Sequence, residues 1–78
     1  MAAATLLSHG KWVRALAVLP DRRLASGGDD GYIKIWPKDG TREPEVLSHG
    51  KSVWALTMLP DGRLASGGAD GNIKIWPK

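Results

Sequence analysis

Residues 7–38 recur, without a gap, as residues 47–78. Of the 32 aligned positions seven differ, so 25 are identical. The phrases "LSHGK", "RLASGG" and "IKIWPK" stand in both copies at a constant offset of 40. The architecture must therefore be two copies of one supersecondary unit. A unit this short cannot bury its apolar face alone, so copies must stack on one another.

The unit is made of strands. No segment carries apolar residues at three-to-four spacing through three turns, which excludes an amphipathic helix. "WVRALAVL" (12–19) is rich in Val, Leu and Ala and ends at Pro20. "PDR" and "PDG" are turn chemistry: Pro presets φ, Asp bonds the backbone ahead, and Gly62 accepts positive φ. "RLASGG" makes a second strand, and "DDG" or "ADG" a tight Asp-Gly turn. "YIKIW" alternates, placing Ile33 and Ile35 on one face and Lys34 and Trp36 on the other. "EPEVLS" (43–48) supplies a fourth strand, with "AATLLS" (3–8) as its counterpart ahead of the first unit. A period of about 40 with this content points to a propeller blade.

In these features the unit resembles a blade of the WD-repeat β-propeller family. Both copies show it: Ser8-His9 and Ser48-His49, Val13 and Val53, Pro20-Asp21 and Pro60-Asp61, "LASGG" with its turn Asp, then Trp36 and Trp76. There are departures. Ser8 and Ser48 stand where the family usually has Gly, Gly28 and Gly68 replace a second Ser, and Pro37 and Pro77 replace the Asp that names the family. Proline cannot donate a ladder bond, so it should end the third strand. The resemblance implies an all-β fold, a propeller of four-stranded antiparallel blades. Residues 1–40 and 41–78 would each form one repeat.

His9, Ser26 and Asp30, with His49, Ser66 and Asp70, could be taken for a hydrolase triad used twice. A triad needs an exposed nucleophile and an oxyanion hole. Here the Ser lies within a strand and lacks the strained elbow of G-x-S-x-G enzymes. The resemblance implies a buried network instead, from Trp36 through Ser26 and His9 to Asp30, and from Trp76 through Ser66 and His49 to Asp70. With Gly at 28 and 68, which small residue completes it stays open. No catalytic residue, cofactor or metal site is expected, since no paired Cys or His spacing accompanies His9 and His49.

The seven differences are 12/52, 14/54, 17/57, 18/58, 22/62, 29/69 and 32/72. Four of them (Trp12/Ser52, Arg14/Trp54, Asp29/Ala69, Tyr32/Asn72) fall at one end of the blade. There they would line a rim or a blade–blade contact. Trp12, Arg14, Tyr32 and Trp54 are residue types favoured at interface hot spots. Arg14, Leu16 and Val18 should share one strand face, and Arg14 could stack on a neighbouring Trp54.

A chain of 78 residues buries little core, and with no cysteine no disulfide can staple it. A net charge of +3, spread along the sequence, reads as a solvated surface ahead of the alternative, a nucleic-acid-binding module. No apolar run approaches a membrane span. The sequence suits a soluble protein, cytoplasmic if natural. Two blades leave two faces and an edge uncovered, so the partner expected is the chain itself, head-to-tail. The resemblance implies that each blade takes its outer strand from the start of the next repeat, so residues 43–48 would close the first blade, and 3–8 would close the second blade of another copy. Four copies, giving eight blades, are expected ahead of three giving six, because Arg14 and Trp54 need room at the narrow end of the wedge. The rim would then be open to a protein or peptide. Near-identical units suggest an engineered or recently duplicated propeller.

Overall fold

Turn chemistry sets the strand breaks. In the computed structural model, which describes residues 6–38 and 43–77, Leu19 N–H donates to Arg23 O (2.8 Å) and Arg22 N–H to Leu19 O (2.9 Å). The Asp21 carboxylate accepts from Arg23 N–H at 3.1 Å. The residue after Asp is left-handed in both units: Gly62 at φ 90° and, without the freedom of glycine, Arg22 at φ 74°. Between these turns run β1 (Val13–Val18), β2 (Leu24–Gly28), β3 (Tyr32–Trp36), β4 (Glu45–Ser48), β5 (Val53–Met58), β6 (Leu64–Gly68) and β7 (Ile73–Trp76). β3 and β7 stop at the residue before proline. β4 is shorter than the stretch 43–48, beginning only after Pro44.

The strands form two antiparallel sheets, in the orders β1-β2-β3-β4 and β5-β6-β7. β4 comes from the lead-in to the second unit yet pairs with β3, opposing Leu47 to Ile33 and Ser48 to Tyr32. It completes the first blade. Among the described residues β7 has one neighbour only. Of the strand expected over 3–8, residues 3–5 lie outside the described residues, and Leu6, Leu7 and Ser8 belong to no strand.

Each first strand carries a bulge. Val13 opposes Gly28 and Ala15 opposes Gly27, so Arg14 is the extra residue, as Trp54 is in β5. The bulge takes Arg14 out of the alternation expected for it. Leu16 and Val18 share a face opposite Ser26 and Leu24, and Arg14 is freed to turn along the end of the blade.

The blades stack through β5, which packs on β1 and β2. Ala25, Ile33 and Ile35 of the first blade meet Val53 and Leu64 of the second, flanked by Leu56 and Met58. The contact is close because Gly27 has no side chain: a Cβ there would lie 2.5 Å from Val53 Cγ1. Identical residues fare differently on the outer faces. Ile33 and Ile35 are 0% and 8% exposed, whereas Ile73 and Ile75 are 77% and 52% exposed. Val53 is 0% exposed, whereas Val13 is 47% exposed beside the open Leu16 and Val18. A Cβ at Gly67 would meet nothing within 4 Å.

Candidate functional site

Two side-chain chains cross the blades. Trp36 Nε1–H donates to Ser26 Oγ at 2.9 Å. Ser26 Oγ lies 2.7 Å from His9 Nδ1, and His9 Nε2 lies 3.0 Å from Asp30 Oδ1. The second unit repeats this: Trp76 to Ser66 at 2.9 Å, Ser66 to His49 at 2.8 Å, His49 to Asp70 at 3.1 Å. One assignment places every proton: the indole donates to the hydroxyl, the hydroxyl to Nδ1, and Nε2–H to the carboxylate. His9, Ser26, His49 and Ser66 are all buried. No buried side-chain nitrogen or oxygen among the described residues lacks a partner. Such closed networks fix one packing over its alternatives.

The glycines at 28 and 68 belong to this arrangement. A Cβ at Gly28 would lie 2.8 Å from His9 Nε2, and one at Gly68 would lie 2.8 Å from His49 Nε2. The imidazole fills the space a second serine would need, which leaves the hydroxyl to Ser26 and Ser66. Lys34 and Lys74 were not singled out in the sequence. Their Nζ atoms donate to His9 O (2.6 Å) and His49 O (2.8 Å), and their identity in both units was the available signal.

The carboxylates are held ionised. Burial pushes Asp30 up, but the Tyr32 N–H, His9 and Lys34 outweigh it and leave it below the usual range. For Asp70 the Asn72 N–H leads and gives the same direction.

The hydroxyls are poorly placed for attack. Ser26 is buried mid-strand, accepts from an indole, and faces Nδ1, whereas the serine-protease arrangement sets the hydroxyl at Nε2 and the carboxylate at Nδ1.

At one end of the blades Asp29 is a hub. Arg14 donates to it through Nε and, at 3.1 Å, through a terminal nitrogen. Ser52 Oγ donates to it at 2.7 Å from the second blade, and Trp54 Nε1 donates to Ser52 Oγ at 3.1 Å. The Arg14 and Ser52 bonds hold Asp29 low, and Asp29 in turn raises Arg14. The expected Arg14–Trp54 stacking does not form within the chain; the guanidinium lies over Trp12, 5.7 Å from the ring centroid. The bulge and the Asp29 clamp turn it that way. Tyr32 and Asn72 are exposed at the β2–β3 and β6–β7 turns, their N–H groups bonded to Asp30 and Asp70. At the other end a cleft of about 570 Å³ opens between the blades, with Arg23, Ile35, Glu45, Met58 and Trp76 in its wall.

The family model "WD domain, G-beta repeat" matches twice, over residues 2–37 and 42–77. The chain belongs to the WD-repeat family. The WD40 β-propeller domain of Doa1 is similar over 91% of this chain at 24% identity, TM-score 0.82. The computationally designed Ika4 protein is similar over 97% at 31% identity, TM-score 0.77. The chain spans 24% of the first and 48% of the second. No curated protein sequence matches it. In this WD-repeat chain Pro37 and Pro77 stand where the family's Asp would, and they close β3 and β7 without disturbing either network.

Proposed function

We propose that the chain is a non-catalytic scaffold that associates head-to-tail with copies of itself into a closed propeller, leaving a rim open to a protein or peptide. One observation carries this reading. Each exposed apolar face is the counterpart, 40 residues away, of a face buried within the chain: Ile73 and Ile75 of Ile33 and Ile35, Val13 of Val53. The surface that Val13, Leu16 and Val18 present is therefore shaped for the one at Gly67, Ile73 and Ile75. A face that fits a different face on an identical molecule gives a heterologous contact, which closes as a ring if the rotation allows.

The open edge of β7 supports the same arrangement. Within the chain Ser48 and Leu47 pair with Tyr32 and Ile33, and His49 N–H donates to Gly31 O at 2.9 Å. Moved by one unit, Ser8 and Leu7 of one copy oppose Asn72 and Ile73 of another, and His9 N–H reaches Gly71 O. A ring of four copies and eight blades is expected ahead of three copies and six. The near-identical units and the similarity to a designed propeller support an engineered or recently duplicated origin. The buried, fully bonded Ser26 and Ser66 favour a structural network over hydrolysis, and the scattered +3 charge offers no stripe for nucleic acid. Deleting residues 1–7 tests the strand exchange. The expected result is loss of the defined oligomer, or aggregation through the bared β7 edge. A truncated protein that forms the same closed oligomer, with the same number of subunits in native mass spectrometry, would refute it.

A further inference from the structure

The differences between the two units are arranged around one junction. Within the chain, the top of the blade–blade contact is polar: Asp29 on the first blade accepts from Ser52 on the second. Position 29 corresponds to Ala69, and position 52 to Trp12. If one unit is added, the same junction sets the second blade of one copy against the first blade of the next, with Ala69 where Asp29 was and Trp12 where Ser52 was. A carboxylate and a small hydroxyl become a methyl and the largest side chain. The two changes compensate in size and agree in polarity. Trp12 is 75% exposed in the single chain, yet its ring carries Arg14, which Asp29 clamps from below. It is a largely exposed apolar surface held in place, and among the described residues nothing further covers it.

We propose that Trp12 of one copy packs over Ala69 of its neighbour, as the apolar seal of the junction between chains. This rests on the head-to-tail reading above and gives it a register. The Asp29–Ser52 bond cannot form between copies joined this way, because Ala69 has no acceptor side chain and Trp12 no hydroxyl. First units stacked on first units would set Asp29 against Trp12 and lose the hydroxyl bond that Ser52 supplies. The two junction types therefore alternate, polar inside a chain and apolar between chains, and this order matches each side chain to a partner of its own polarity. Trp is among the residue types enriched at interface hot spots.

The test compares the unaltered chain with Ala69→Asp, Ala69→Gly and the double variant Trp12→Ser/Ala69→Asp, by native mass spectrometry and sedimentation over a range of concentrations. Ala69 is exposed, so the single-chain fold, followed by circular dichroism, should survive each change. Ala69→Asp should weaken assembly at least tenfold, Ala69→Gly should leave it within about threefold, and the double variant should recover assembly by recreating an Asp–Ser pair. If Ala69→Asp assembles as tightly as the unaltered chain, the Trp12 seal is wrong while head-to-tail assembly stands. If the unaltered chain does not assemble at all, or only joins to further repeats supplied by another polypeptide, the self-assembly reading fails and the seal with it.

Discussion

Gly27 and Gly67 occupy the same place in two identical strands, yet the same substitution should act on them with opposite sign in the single chain. A methyl at Gly27 would sit 2.5 Å from Val53 Cγ1, 2.9 Å from Val53 Cβ and 3.3 Å from Leu56 Cδ1. Contacting carbons rest about 3.5–4.0 Å apart, so the blades must separate by about 1 Å. Overpacking of that kind costs about 1–3 kcal/mol. The reduced freedom of the unfolded chain offsets about 0.4–1 kcal/mol of it. Gly27→Ala should therefore destabilise the fold by up to about 2.6 kcal/mol, with a midpoint of about 1.3 kcal/mol. At Gly67 the methyl meets nothing within 4 Å. Gly67→Ala should leave the lone chain unchanged or stabilise it by up to about 1 kcal/mol. In a head-to-tail assembly Val13 of the neighbour takes the place of Val53, and the clash reappears at every junction. At about tenfold per 1.4 kcal/mol, each junction should weaken by roughly 5- to 150-fold. Urea unfolding at low concentration reads the first effect, and native mass against concentration reads the second. A Gly67→Ala chain that assembles as tightly as the unaltered one would show that Val13 does not enter that slot.

Three further outcomes follow from the site and the turns. His9→Ala and His49→Ala should each cost about 1–3 kcal/mol in urea unfolding, because a buried serine hydroxyl loses its acceptor; unchanged midpoints for both would count against a buried network. Arg22→Gly should raise the thermal midpoint slightly. The left-handed conformation costs a side-chain-bearing residue about 1–2 kcal/mol, against about 0.5–1 kcal/mol for the extra freedom of glycine. A lower midpoint would mean that Arg22 contributes something its backbone strain hides. Asp21, Asp29, Asp30 and Asp70 all titrate below their ordinary value when folded. Their contribution is fully present above the unfolded Asp value of about 3.9 and fades as pH falls through the folded values. Stability measured by urea unfolding should therefore fall on acidification below about pH 4; stability rising in that range would contradict the bonding described.

The strands were legible because the pattern repeats, and their order because the unit resembles a WD-repeat blade. Two copies of "IKIW" ending at proline mark β3 and β7, and Asp-Gly turns with "PD" turns mark the breaks. The network residues were legible as types, since a duplicated His, Ser, Asp and Trp points to a shared framework. The choice of hydroxyl was not, because it depends on the imidazole lying against Gly28, a distance between residues far apart in sequence. The bulge at Arg14 was also hidden. Simple alternation put Arg14 beside Leu16, whereas the extra residue redirects it to Asp29 and Trp12. The unequal exposure of identical isoleucines could not be read from residues that are the same; it arises only from which face meets the second blade.

The most direct test of self-assembly is the native mass of the unaltered chain at micromolar concentration. The expected species is four times the 8.4 kDa chain, eight blades in a closed ring. Three times that mass would reject the eight-bladed ring in favour of six. A folded, stable monomer would contradict self-assembly itself, since Ile73, Ile75 and Val13 would then tolerate water without a second copy to cover them.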